Sequence, residues 1–191
     1  MNSDFLEYIK QFRFLSLEDL KLIYSMVRIK KAAAGERIVS EGEVFYHSVI
    51  ILKGLLRNYV IMSNGEERTV YLAYEGMQNA CPESIFEDKP ATATIEALEP
   101  CLLLYLDTRK LDKLARNRAV LLRFKISMME KGLMDVVNRV KFLTDFTPEE
   151  RFLNLRDNHP QLIQRVSQIH LASYIGITPV SLSRIKARLT K

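Results

Sequence analysis

Residues 167–191, SQIHLASYIGITPVSLSRIKARLTK, decide how the rest of the chain is read. With Gln168 opening a helix, Leu171, Ala172, Ile175, Ile177, Leu182 and Ile185 recur where two short helices bury side chains against each other. Ala172 is small at the expected crossing, and Gly176 stands where the turn favours φ > 0, which a residue without a Cβ adopts freely. Thr178 is placed to cap the second helix and Pro179 to fill its first position, where a missing N–H costs nothing. This spacing predicts a helix-turn-helix for the major groove of DNA. Val180, Ser181, Arg184, Lys186 and Arg188 are expected on the outward face of its second helix, and Ser167 is a further candidate contact.

Charge points the same way. Arg184, Lys186, Arg188 and Lys191 are four cations in a segment without an acid, so +4 of the chain's formal +5 lies there. A basic cluster on one small element is the footprint of a surface that neutralises phosphates. An amphipathic helix pair with a solvated basic face would explain the charge but not the turn.

The chain of 191 residues is long enough for one generous domain or two modest ones, and its 48% hydrophobic and 27% charged residues are those of a soluble globular protein. No apolar run approaches the ~18 residues that span a bilayer, and MNSDFLEYIK lacks the basic and apolar regions of a signal peptide, so the expectation is a cytoplasmic protein without a membrane partner. Cys81 and Cys101 form no metal-spaced pair and read as buried thiols in a reducing compartment, so no metal site is expected.

Upstream, the first 30 residues read as helical, with Ser16 capping a helix through Val27 that carries Leu17, Leu20, Ile23 and Tyr24 on one face. From about Met26 to Asp107 the period becomes two. The runs SVIILKG, LLRNYVIM, ERTVYLAY, ATATIEAL and CLLLYLD are separated by turn signals at Gly35, Gly42, Gly54, Asn64–Gly65, Gly76 and Pro90. They predict an antiparallel β-sandwich or jelly roll, with Asn64–Gly65 as its clearest hairpin. After a short helix through Asn117, residues 119–143 form a long helix in which Leu122, Ile126, Met129, Leu133, Val136, Val140 and Leu143 alternate at spacings of four and three. Such a heptad seam fits pairing with an identical helix, and the residues expected at that interface are Leu122, Ile126, Met129, Leu133, Val136 and Val140. Leu121, Met128, Met134 and Val137 beside the seam imply that the helix also packs on its own sandwich. A core helix within one chain would use the same residues. The fold class is therefore α+β: a sandwich domain over 1–118, a dimerisation helix over 119–143, a hinge at 144–146 and a helix-turn-helix domain over 147–191.

In that order the pieces resemble the CRP/FNR family of bacterial transcription regulators. The resemblance rests on AGERIVSEGE leading into the sheet, the strand end Lys53–Gly54, NGEERTVYLAYEG up to Gly76, the heptad helix, and ITPVSLSRIKA as the recognition element. It implies a cyclic-nucleotide-binding-like sandwich, a homodimer, double-stranded DNA as partner and RNA polymerase as a further one. It also places Thr178 at a phosphate, Ser181 on the groove face, and Arg184 where an arginine reads guanine O6 and N7. The family's best-known members have a charged pair just after the cap where this chain has Pro179 and Val180, so their base preferences do not carry over.

The effector pocket departs further. The resemblance implies that nucleotide-binding members hold the ribose with a glutamate and the cyclic phosphate with an arginine followed by Ser or Thr. Without gaps those positions fall on Pro82, Ala91 and Thr92, and the helix positions that would meet the base fall on Leu133 and Met134. Glu83 and Lys89 could substitute only through a register shift. The candidate pocket residues are thus Gly76, Glu83, Lys89, Thr92, Leu133 and Met134. A buried phosphate opposite Ala91 would lack a charge partner, which argues against cyclic AMP or GMP. The oxygen-sensing branch needs four cluster cysteines, and a haem would find only His47 in the sandwich. No cofactor is expected, and the effector is an unidentified small molecule or none.

The leading function is a dimeric, sequence-specific DNA-binding regulator that does not respond to cyclic AMP. The alternative is a sensor or adaptor module acting by protein contact with residual DNA binding, since only HPQLIQRV links the preceding helix to the motif and the wing hairpins of larger relatives should be short or absent. No catalytic residues are assigned, because His47, His159 and His170 have no nucleophile or metal spacing around them.

Overall fold

The computed structural model describes residues 3–189, so Lys191, one of the four C-terminal cations, lies outside the described residues. The fold is α+β, with two antiparallel sheets followed by helices. The chain divides into two compact units, Met1–Arg57 with Ala73–Leu133, and Asn58–Leu72 with Met134–Lys191.

The first unit opens with helices α1 (Ser3–Ile9) and α2 (Leu17–Ser25). Ser16 starts α2 through a reciprocal capping box: its Oγ accepts from the Asp19 N–H at 3.2 Å, and the Asp19 carboxylate accepts the Ser16 N–H at 2.9 Å. These bonds hold the Asp19 carboxyl below its ordinary pKa. The helix ends at Ser25 instead of reaching Val27, because Val27 pairs with Leu106 at the start of strand β1 (Val27–Ala32). Leu17, expected on the buried face, is exposed at the first turn.

Strand β1 joins β8 (Cys101–Asp107), β3 (His47–Lys53) and β6 (Gln78–Asn79) in one sheet, in the order β1-β8-β3-β6. The alternation of side chains sorts its residues between two buried faces. Ile50, Leu104 and Leu106 pack on the helices with Phe5, Phe12, Ile23, Leu121 and Phe124. Val49, Ile51 and Leu103 point the other way and are equally buried, as the inner face of a sandwich requires. The second sheet runs β2-β7-β4-β5, from β2 (Arg37–Val39), β7 (Thr94–Ala97), β4 (Leu56–Ile61) and β5 (Glu67–Ala73). A buried ion pair ties two of its strands: Arg57, 1% exposed, reaches Glu96 at 2.9 Å. At Gly54 the backbone has φ +102°, and an added Cβ would collide with Cys101, 2.9 Å from its Cα, so the β3–β4 turn requires glycine.

Helix α3 (Pro82–Glu87) lies between β6 and β7, and α4 (Thr108–Ala115) follows β8 with Asp107 as its cap. Helix α5 then runs from Ala119 to Thr144. Leu121, Phe124 and Met128 are its buried residues in the first unit, and Phe124 meets Phe12 edge to face at 4.8 Å.

The second unit contains residues 58–72 of the β4–β5 hairpin, the remainder of α5, and four more helices: α6 (Pro148–Asn158), α7 (Pro160–Arg165), α8 (Gln168–Ile175) and α9 (Pro179–Leu189). Thr147 and Glu150 form a second capping box at α6, with Pro148 in the first helical position. The unit's buried residues include Tyr59 and Leu72 of the hairpin and Phe152, Leu155, Leu162, Val166, Leu171, Ala172, Ile175, Leu182 and Ile185 of the helical part. The hairpin joins the helices through the Thr69 N–H, which donates to Ser173 Oγ at 2.8 Å. The link HPQLIQRV folds as α7, and among the described residues no strand follows Asp107. No described helix is long and apolar enough to cross a membrane.

Candidate nucleic-acid interface and effector cassette

The α8–turn–α9 pair is built from local chemistry. Ser167 caps α8, its Oγ accepting the His170 N–H at 3.2 Å. At the other end Gly176 takes φ +78°, and the Ile177 N–H returns to the Ala172 carbonyl at 3.0 Å, the left-handed termination that glycine favours. The Thr178 Oγ1 then accepts the Ser181 N–H at 3.2 Å and lies 3.0 Å from the Ser181 hydroxyl. Leu171, Ala172, Ile175, Leu182 and Ile185 are all buried in the pair.

Helical phase separates the cations of α9. Val180, Ser183, Arg184 and Ala187 form an exposed ridge opposite Leu182 and Ile185. Lys186 is half-buried, with Nζ 5.8 Å from the centre of the Phe152 ring, and Arg188 pairs with Glu149 at 2.7 Å. Both lean toward α6. Of the residues expected at DNA, Val180 and Arg184 thus point outward, Thr178 and Ser181 build the turn, and Ser167 caps α8. Ser183 and Ala187, absent from that expectation, share the ridge, and counting three and seven residues on from Val180 would have found them.

Two arginines fix the C-terminal end of α8. Arg139 of α5 donates from NH2 to the Tyr174 carbonyl at 2.7 Å and from Nε to the Val70 carbonyl at 3.0 Å, with its guanidinium 3.8 Å over the Tyr174 ring. Burial lowers the pKa of this guanidinium. Arg151 of α6 donates to the carbonyls of Ile175 at 2.6 Å, Leu143 at 2.9 Å and Phe146 at 3.0 Å. A helix C-terminus leaves carbonyls unpaired and carries partial negative charge, so a cation there is doubly favourable.

Side chains of the first unit's cassette pair with one another. Thr92 donates to Glu83 at 2.6 Å, Lys89 pairs with Glu87 at 2.6 Å, and Ser84 donates to the Lys89 carbonyl at 2.8 Å. Ala91 is buried, with its N–H on the Glu43 carbonyl at 2.8 Å and its own carbonyl taken by the Gly42 N–H at 2.9 Å. Pro82 is exposed as the first residue of α3. Gly76 sits at a turn where its carbonyl accepts from Lys131 at 2.8 Å, while Leu133 and Met134 are exposed on α5. Burial pushes the Cys81 thiol up to about 12, which keeps it from being a thiolate at neutral pH, and burial also lowers the pKa of His47. Among the described residues no group of His, Cys, Asp or Glu side chains could hold a metal ion.

The heptad seam is open. Leu122, Ile126, Met129, Leu133, Val136, Val140 and Leu143 are all exposed, Leu133 to 64%, whereas Leu121, Phe124 and Met128 on the adjacent face are buried.

Residues 29–118 match the cyclic nucleotide-binding domain family. No curated protein matches the sequence. Among solved structures, the chain is similar to a protein from Eubacterium rectale assigned to the CRP/FNR family of transcriptional regulators, with a TM-score of 0.74 at 16% identity over 96% of this chain and 88% of that one. It is also similar to the c-di-GMP responsive global regulator CLP of Xanthomonas campestris, with a TM-score of 0.71 at 14% identity over 92% of each chain. FixK2 from Bradyrhizobium japonicum gives a TM-score of 0.68 at 17% identity over 86% of this chain and 84% of its own. Residues 29–118 therefore resemble a cyclic nucleotide-binding domain, and the chain shares its fold with solved CRP/FNR-type regulators.

Proposed function

We propose that this protein is a dimeric, sequence-specific DNA-binding transcription regulator of the CRP/FNR type that does not respond to cyclic AMP. The observation that carries it is the exposed ridge of α9, with Arg184 at its centre, on a two-helix unit whose first helix is capped at both ends. A helix so presented fits the major groove, where an arginine forks onto guanine. The open apolar seam of α5 supports the homodimer. A bound dimer sets two such ridges about one helical turn apart, so selection from random duplexes should return an inverted repeat with half-sites ~10 bp centre to centre or a multiple of that turn. Arg184→Ala should lose about 1–3 kcal/mol and blur one base position of each half-site. A selection that returns no palindrome sinks the reading. It would favour an adaptor acting by protein contact, which the diversion of Lys186 and Arg188 toward α6 already supports.

The cassette argues against cyclic nucleotide as the signal. No arginine or lysine stands at Ala91, Glu83 is engaged by Thr92, and Lys89 is engaged by Glu87. Millimolar cyclic AMP should leave both the melting temperature and the DNA affinity unchanged. A ligand at a hundred times its Kd would add about 2.7 kcal/mol, which a thermal scan detects easily. A shift at micromolar cyclic AMP would show that the cassette rearranges to bind it.

A further inference from the structure

We infer that Val180 reads the C5-methyl group of a thymine, so that the half-site combines a guanine under Arg184 with a thymine close by. The inference rests on the DNA-binding reading above and names the bases that reading leaves open. Arg184 lies four positions on from Val180 along one ridge, a rise of about 6 Å along the helix. That distance is close to two base-pair steps of ~3.4 Å each, so the two side chains address different pairs of one half-site.

Valine cannot exchange hydrogen bonds with a base edge. It presents two methyl groups in a direction fixed by its β-branch, and here its side chain is solvent-facing, 61% exposed. The apolar feature of the major-groove edge is the thymine methyl. The first turn of α9 is held firmly enough to aim it. Thr178 Oγ1 occupies the Ser181 N–H at 3.2 Å, the Thr178 carbonyl accepts the Leu182 N–H at 3.0 Å, and Pro179 fixes its own φ. The other long cations of α9 turn away from this ridge. Lys186 lies against Phe152, and Arg188 is drawn off by Glu149. Ser183, one turn on from Val180 on the same ridge, is short enough to let the valine approach the groove floor.

The test uses the full-length protein and the duplex it selects, with each thymine replaced in turn by deoxyuridine, which removes the methyl group and leaves pairing intact. Wild-type protein should lose about fourfold in affinity at one thymine of each half-site, the worth of one buried methyl. Val180→Ala should bind thymine and uracil alike there, while Arg184→Ala should keep the discrimination. Val180 is exposed, so its truncation leaves the core intact. A duplex bound tightly with no uracil-sensitive thymine, or with the same loss in Val180→Ala, overturns the inference while DNA binding stands. Failure to select any duplex overturns the DNA-binding reading and this one with it.

Discussion

A Leu133→Glu variant is expected to sediment as a monomer at micromolar concentration while keeping the far-ultraviolet spectrum of the wild type. Leu133 is 64% exposed and lies at the middle of the open seam. Glutamate there disturbs no contact within the protomer's core. In a dimer it would set two like charges facing each other in an apolar seam, each stripped of water, a cost of several kcal/mol. Operator affinity should collapse in parallel, because a single half-site supplies few contacts. Leu121→Glu makes the opposite comparison on the same helix. Leu121 is fully buried, so that variant should lose the fold itself. If Leu133→Glu sediments as the wild type does, the seam is not the self-association surface.

The features legible in the sequence are those whose causes are local. Ser16 with Asp19, and Thr147 with Glu150, announce helix starts three residues apart, and both capping boxes are present. Gly176 before Thr178–Pro179 marks the end of one helix and the start of the next, at the residues observed. The heptad spacing separates the open face of α5 from its buried face, though Met134, expected with Leu121 and Met128 to pack on the sandwich, is exposed. What the sequence hides depends on distant partners. Arg57 and Glu96 are far apart in the chain, and nothing in the strand-like run LLRNYVIM marks its arginine for burial. Val27 leaves the helical pattern because Leu106 offers it a strand partner. Counting charge over residues 167–191 groups Lys186 and Arg188 with Arg184. Their direction is set by Phe152 and Glu149 on α6, which the count does not contain. The arginines that close α8 carry no local signal either, since every residue has a backbone carbonyl that can accept and its side chain does not mark which one a distant arginine will reach.

Replacing Arg151 by methionine is expected to destabilise the second unit by about 2–4 kcal/mol and to weaken DNA binding equally for every sequence. Methionine keeps most of the aliphatic length and removes every donor. Those donors serve three carbonyls: Leu143 at the end of α5, Phe146 in the break before α6, and Ile175 at the end of α8. Each bond to a charged donor is worth about 1.5–3 kcal/mol where water is excluded. The total falls below three such bonds because Arg151 is only half-buried, and water would take up part of what the guanidinium releases. Arg151→Lys should recover only a fraction, since an ammonium cannot fork across carbonyls that the planar guanidinium reaches together. Hydrogen exchange provides the local readout. The amides of α8 should lose protection in Arg151→Met, while those of the β1-β8-β3 sheet in the first unit keep theirs. The effect on binding differs in kind from that of Arg184→Ala: a loosened α8 lowers affinity without changing which bases are preferred, whereas loss of Arg184 changes the preference itself. Equal melting and equal α8 protection in Arg151→Met and wild type would mean that solvent serves these carbonyls as well as the arginine does. The C-terminal end of α8 would then rest on Arg139, whose bond to the Tyr174 carbonyl holds it from α5 while its bond to the Val70 carbonyl ties α5 to β5.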